Sequence, residues 1–211
     1  MILIGQYDSP FVRRVAIAMK LHGIPFEHRP WSTFADADKI TPFNPLRRVP
    51  TVLFDNGETL IDSYAILDWL DEHAHQGRRL IAAHGDERRR ALKVCALATG
   101  LADKAVSLVY ERVLHKEVSR VWIDRCRAQI SDVLDILEAD RDARRAAWWF
   151  GDHIGHADIA VTCAIRFTRE AHAGLFDAAR WPALEGHFEK CEALQAFRDI
   201  VQPFIPPQGE R

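Results

Sequence analysis

Three places in this sequence carry residue types and surroundings suited to holding a small charged or peptide-like ligand: Ser9, Val49-Pro50 and Asp62-Ser63. Ser9 stands between a short apolar run, Ile2-Leu3-Ile4, and Pro10. Proline is favoured at the first helical position, because the N–H it lacks would be unpaired there anyway. A hydroxyl at such a junction has two uses. It can cap the helix by accepting a backbone N–H. It can also donate to an anion drawn to the positive end of the helix, and a thiolate is an anion worth stabilising there. A free thiol has a pKa of about 8.5, so only a few per cent is ionised at neutral pH. Lowering it by about two units takes roughly 2.7 kcal/mol, within reach of one charge-assisted hydrogen bond plus a helix end.

The other two places can hold the rest of such a ligand. A cis bond between Val49 and Pro50 would turn the Val49 N–H and C=O outward, free to pair with an extended peptide; a trans proline would simply open an edge strand. Asp62-Ser63 begins a helix, where Ser63 can bond a carboxylate and Asp62 an ammonium, or both can serve as caps.

The elements that must position these residues follow from the pattern. Ile2-Leu3-Ile4 reads as a buried strand, and Val12, Val15, Ile17, Ala18 and Leu21 recur at near-helical spacing up to Gly23. Residues 26–31 read as a second strand, so the first thirty residues form a βαβ unit with parallel strands and a right-handed crossover. After an irregular stretch, Asp55-Asn56-Gly57 between two apolar runs predicts a β-hairpin, followed by a helix carrying Ile66, Leu67, Trp69 and Leu70. Strand signals largely stop there. Residues 76–85 are the expected linker, and helices are expected near 86–117, 119–140, from 156, and near 182–190 and 192–200. The second of these places Trp122, Cys126, Ile130, Val133 and Leu137 on one stripe.

Composition removes several function classes. Of 211 residues, 48% are hydrophobic and 27% charged, and the net charge of -2 gives no pull toward nucleic acid or anionic membrane. The basic run Arg88-Arg89-Arg90 follows Asp86-Glu87 and reads as a solvated helix start. Cys95, Cys126, Cys163 and Cys191 form no CxxC, which argues against a zinc site or a disulfide framework. His73 and His75 face apart on a helix, so no metal pair is expected from them. The opening residues have no basic and long apolar leader pattern, and no apolar run is long enough to span a bilayer. The expectation is a protein of a reducing cytoplasm, with no membrane and no nucleic-acid partner.

Taken together, Ser9-Pro10-Phe11-Val12-Arg13-Arg14, the stretch from Asn44 through Val49-Pro50-Thr51 to Leu53, and Asp62-Ser63-Tyr64-Ala65-Ile66-Leu67 resemble the cytosolic glutathione S-transferase superfamily. Gly151-Asp152 through Ala157-Asp158-Ile159-Ala160 is similar to that family's folding signature in its helical domain. The Ser-Pro-Phe start is similar to the serine-type classes, in the manner of tau, theta or zeta members from bacteria.

The resemblance implies an α+β thioredoxin-like domain, residues 1–78, that binds glutathione, and an all-α domain, residues 86–211, on the side of the second substrate. It implies that Ser9 stabilises the glutathione thiolate, with Tyr7 as the alternative hydroxyl, and that Phe11 borders the same ligand. Val49, before a cis Pro50, would pair with the cysteinyl unit, and Asp62 and Ser63 would hold the γ-glutamyl end. Arg48, or less directly Lys39, would meet the glycyl carboxylate. Glutathione is then a co-substrate, no metal is needed, and a homodimer is implied. Because no cysteine precedes Cys95, glutathione itself would be the nucleophile. The second substrate, a hydrophobic electrophile, would lie between the domains near Trp31, Phe34, Asp103, Val106 and Tyr110, with Arg112 or His115 as further candidates.

The expected activity is conjugation, with peroxide reduction or isomerisation as related reactions. The rival is a non-catalytic stress or interaction protein of the same fold. One departure stands out: Gly155 occupies the position where the family carries a Ser or Thr helix cap, a loss on the order of a few tenths of a kcal/mol.

Overall fold

A computed structural model describes residues 1–74 and 79–207. Strand β1 (Ile2–Ile4) leads into helix α1 (Pro10–His22), which ends on Gly23 in the left-handed conformation and returns as β2 (Glu27–Arg29). A one-turn helix, α2 (Ala37–Ile40), lies in the stretch expected to be irregular. Strands β3 (Thr51–Leu53) and β4 (Thr59–Ile61) form the expected hairpin, and α3 (Ser63–Glu72) follows. The sheet order is β2-β1-β3-β4. β1 and β2 are parallel, with Ile4 opposite Arg29, and the remaining pairs are antiparallel, with Ile4 opposite Thr51. This is the thioredoxin-like arrangement that the resemblance implies.

The rest is helical: α4 (Gly85–Leu114), α5 (Arg120–Asp142), α6 (His156–Ala171), α7 (Pro182–Glu192) and α8 (Gln195–Asp199). The expected stripe on α5 shifts at one position, where Leu134 takes the buried place expected of Val133. Cys126, Ile130, Leu134 and Leu137 are buried, while Trp122 and Val133 pack at the margin. The arginine run opens α4 as expected, although Arg88 also reaches across to Asp68 of α3 at 3.0 Å. The expected linker falls partly on residues 75–78, outside the described residues.

Two apolar clusters form, and α6 serves both. Ala157, Ala160, Val161, Ala164 and Ile165 face the helical cluster with α4 and α5, whereas Ile159 and Cys163 face the cluster of β1, α1 and α3. α6 is buried along most of its length, with its less buried residues, Arg166, Arg169 and Glu170, confined to the last turns. Its start is held by Asp158, 1% exposed, whose carboxylate accepts the N–H of Gly155 and of Trp149, each at 2.8 Å. His187 Nε2 lies 3.2 Å from the same group.

Buried polar contacts then tie the thioredoxin-like part to the helices. The Asp71 carboxylate in α3 accepts Leu80 N–H at 2.9 Å and His156 Nε2 at 3.0 Å, with His22 Nε2 at 3.3 Å. Leu80 in turn accepts the His156 backbone N–H at 2.8 Å. On the other side, Arg13 of α1 grips both Glu192 oxygens, at 2.7 and 2.9 Å, and the carbonyls of Phe197 and Ile200.

This geometry changes the meaning of Gly155. A Cβ there would stand 2.7 Å from the Leu80 backbone oxygen, so the position is glycine because the chain entering the helical region passes too close for a side chain. The reading of Gly155 as merely a missing cap is corrected accordingly. Gly155→Ser therefore destabilises the protein by about 1–3 kcal/mol, although serine is the better cap in isolation. A thermal melt checks the sign; a raised midpoint would show that the Leu80 segment gives way freely.

Candidate functional site at the start of helix α1

The end of β1, the first turn of α1 and the Val49 turn converge on Gly5. Its φ of +129° is a conformation open to glycine, and a Cβ would meet Val12 Cγ2 at 2.6 Å and Val49 Cβ at 2.7 Å. Sequence reading passed over Gly5; a glycine directly after a strand was the available signal. It is the residue that lets the α1 start and Val49 approach each other.

Ser9 is the N-cap of α1, and its Oγ accepts the Val12 N–H at 3.4 Å. Since the oxygen is the acceptor in that contact, the hydroxyl hydrogen is left to donate elsewhere. The two uses of Ser9 are thus compatible. The Val49–Pro50 bond is cis, and no hydrogen bond among the described residues ends on the Val49 N–H or C=O. Thr51 and Asn44 brace the turn through the Arg48 carbonyl, at 3.3 and 2.8 Å.

At α3, Asp62 has φ +69° and caps the helix by accepting Tyr64 N–H at 2.8 Å. Ser63, 4% exposed, is the first helical residue, and its Oγ accepts Arg14 Nη2 at 2.8 Å. Arg14 entered the sequence reading only as part of a motif.

The remaining candidates separate. Tyr7 is half-buried; its ring stacks on His28 at 3.8 Å, and burial pushes its hydroxyl up to about 12, so it stays protonated. Phe11 packs against the helical cluster and serves the junction of the two halves of the chain. Lys39 Nζ pairs with Asp36 at 2.7 Å on an exposed face. Arg48 is exposed and near enough to Tyr110 to favour its ionised form, while burial raises the Tyr110 pKa overall.

Phe34 and Tyr110 meet edge to face at 5.4 Å, one from the loop after β2 and the other from α4. Both remain more than a third exposed, at 40% and 37%. Trp31 lies 6.1 Å from Phe43, Val106 packs on the helical cluster, and Asp103 pairs with Lys104 at 2.9 Å. Arg112 and His115 have structural partners instead. Arg112 donates to the Ala171 carbonyl, and His115 bonds the Glu111 carboxylate, which also accepts Ser119 N–H at the start of α5.

The four cysteines are buried and free; burial raises their pKa, to about 11 for Cys95 and Cys163 and about 12 for Cys191. None is an activated thiolate. Among the described residues, no group of three His, Cys, Asp or Glu is placed to hold a metal ion, and no helix is long and apolar enough to cross a membrane. His73 stacks on Trp69 at 4.1 Å, and His75 lies outside the described residues. A cavity of about 320 Å³ between α3 and α4 is lined by Arg14, Tyr64, Asp68, Leu92 and Cys95 among others, and Ser9 does not line it.

The site's surroundings predict a pH dependence of stability. Burial lowers the pKa of His28, which bonds the Gly5 carbonyl at 2.8 Å, and of His172. Burial opposes ionisation of Asp71, but hydrogen bonds from His156 and His22 outweigh it and hold that carboxyl below the usual range. For the histidines the unfolded chain binds protons first, so stability is lost as pH falls through about 6.5. For Asp71, stability present above about pH 4 is lost as pH falls further. The thermal midpoint should fall between pH 7 and 5 and again below 4; a midpoint flat from 7 to 5 would contradict the histidine contribution.

Comparison with known proteins gives the same family on every side. Residues 3–78 match the family model for the glutathione S-transferase N-terminal domain, and residues 120–190 match that for the C-terminal domain. The chain is 30% identical over 169 residues to the GST-like protein YibF of Escherichia coli, covering 78% of this chain and 80% of that one. It is 29% identical to maleylacetoacetate isomerase of Pseudomonas aeruginosa, over 93% of each chain. A glutathione S-transferase of Methylobacterium radiotolerans, solved in complex with glutathione sulfonate, superposes with a TM-score of 0.91 at 27% identity, over 100% of this chain and 98% of that one. The chain belongs to the glutathione S-transferase family.

Proposed function

We propose that the protein binds glutathione across the end of β1, the Val49 turn and the start of α3, ionises its thiol at Ser9, and directs the thiolate at a hydrophobic electrophile. The observation that carries this reading is the Ser9 hydroxyl at the N-terminus of α1, accepting from inside the helix and left with its hydrogen to donate. In this reading the Val49 N–H and C=O pair with the cysteinyl unit, and Asp62 and Ser63 take the γ-glutamyl ammonium and carboxylate. Arg48 is the better placed of the two basic candidates for the glycyl carboxylate, since Lys39 is already paired with Asp36. Phe34, Tyr110, Trp31 and Val106 supply the wall for an apolar second substrate, with Asp103 at its edge. The division into residues 1–78 and 86–211 follows, one part for each substrate.

The four free cysteines suit a reducing cytoplasm, where removal of electrophiles is the role such a reaction serves. Tyr64 and Leu92, exposed beside the α3–α4 cavity, are the apolar residues we assign to contact with a second copy in a homodimer. Likeness to maleylacetoacetate isomerase supports a second reading, glutathione-dependent isomerisation, in which glutathione adds and then departs. The non-catalytic alternative has no observation in its favour.

Two measurements test the proposal: retention on immobilised glutathione, and turnover of glutathione with a generic aryl halide. Binding with turnover supports conjugation. Glutathione that is required but not consumed, with a cis-alkene diacid as substrate, supports isomerisation. Absence of both retention and thiol-dependent turnover would remove the enzymatic reading.

A further inference from the structure

Arg14 is 2% exposed, and among the described residues no carboxylate pairs with it. Its Nη2 donates to Ser63 Oγ at 2.8 Å, and its Nε and Nη1 have no hydrogen-bond partner. The Tyr64 ring lies against it, with the guanidinium carbon 4.3 Å from the centroid, and the Cys95 and Cys163 thiols are near enough to feel its charge. Burial lowers its pKa, and the exposed Asp62 charge works weakly the other way. A buried cation without a counter-ion is expensive, so a fold that keeps one has left room for a negative charge to arrive.

The direction of approach is set by Ser63. Its oxygen accepts from Arg14, so its hydroxyl hydrogen points away from the guanidinium. Its backbone N–H sits in the first turn of α3, among the donors that no helix carbonyl can reach. An anion received by these two donors stands one hydroxyl away from the guanidinium.

We propose that Arg14 is a positioning residue for the α-carboxylate of the γ-glutamyl group. It fixes the Ser63 hydroxyl as a donor and supplies, from behind, the positive charge that makes the α3 start selective for a carboxylate. It acts through Ser63 and does not touch the ligand. This assignment rests on the reading that the γ-glutamyl end lies at Ser63.

The test compares two ligands by calorimetric titration on the full-length protein: glutathione, and the analogue 4-aminobutanoyl-cysteinylglycine, which lacks only the α-carboxylate. Arg14→Gln keeps a donor to Ser63 and removes the charge. It should weaken glutathione about 10- to 100-fold, as expected for loss of a positive charge buried behind the bound carboxylate, and leave the analogue within about twofold. Arg14→Lys, which keeps the charge, should restore most of the glutathione affinity. If Arg14→Gln does not fold, Arg14→Met, which buries no polar group, enters the same comparison. Equal weakening of both ligands would mean that Arg14 is only scaffold, and unchanged glutathione affinity would equally overturn the assignment. A wild-type protein that binds the two ligands equally well would instead overturn the placement of the γ-glutamyl end.

Discussion

Ser9→Ala should fold normally and turn over glutathione with an aryl halide about 10- to 100-fold more slowly, the cost of one hydrogen bond to a charged group. The loss should fall on the ionisation step. The pH at which the rate reaches half its plateau should rise toward the free-thiol value of about 8.5, and at high pH the variant should approach the parent. Folding survives because the cap is weak: at 3.4 Å, the Val12 N–H to Ser9 Oγ contact belongs at the low end of cap energies, about 0.5 kcal/mol. Tyr7→Phe is the control for the rival hydroxyl. Tyr7 stacks flat on His28 and belongs to the margin of the core, so removing its oxygen should change the rate less than about threefold if Ser9 is the donor. The reverse pattern, with Tyr7→Phe slow and Ser9→Ala unaffected, would transfer the role to Tyr7.

Asp158→Ala should be the most damaging single substitution for stability, by about 3–5 kcal/mol, because it removes a buried charge and orphans what it holds. The carboxylate receives Trp149 and Gly155 N–H at 2.8 Å, and His187 stands beside it. With no side chain at Gly155 to share the load, the start of α6 has no second cap. α6 packs against α1, α4 and α7, so the damage reaches both apolar clusters. At about 2–4 °C per kcal/mol for a chain of this size, the midpoint should drop by roughly 6–20 °C. A drop under about 3 °C would show that the loop before α6 finds other partners. Glutathione affinity of the surviving folded protein should be little changed, since the partners of Asp158 are Trp149, Gly155 and His187 and not Ser9 or Ser63; this separates the effect from that of Ser9→Ala.

How much of this was legible beforehand depended on the range of each interaction. The βαβ unit, the hairpin at Asn56-Gly57 and the long helices are written in local periodicity and turn chemistry, and they stand close to where the sequence puts them. Helix α2 was missed because four residues are too few to show a period. Gly5 and Gly155 look alike in sequence, as small residues at the edge of an element. Their need for glycine comes from Val12 and Val49 in one case and from Leu80 in the other. Neither neighbour can be known before the chain is folded.

The candidate site shows the same division. Ser9 and Ser63 were visible as hydroxyls at helix starts. Arg14 was not, because nothing in the local pattern shows that its side chain turns inward to Ser63. The two adjacent arginines are both buried, with Arg13 turned to Glu192 and Arg14 to Ser63. Arg112 and His115, polar residues at a suggestive spacing, have contacts the sequence does not show: Arg112 bonds the Ala171 carbonyl of α6, and His115 bonds Glu111, which in turn accepts Ser119 N–H before α5.

The direct measurement of the central claim is the ionisation of the thiol in the bound ligand, followed by thiolate ultraviolet absorption as the complex is titrated with base. A midpoint about two units below the free thiol's 8.5, moving back up in Ser9→Ala, is the predicted result. A bound thiol that ionises at the pH of the free tripeptide, with or without the serine, would contradict it.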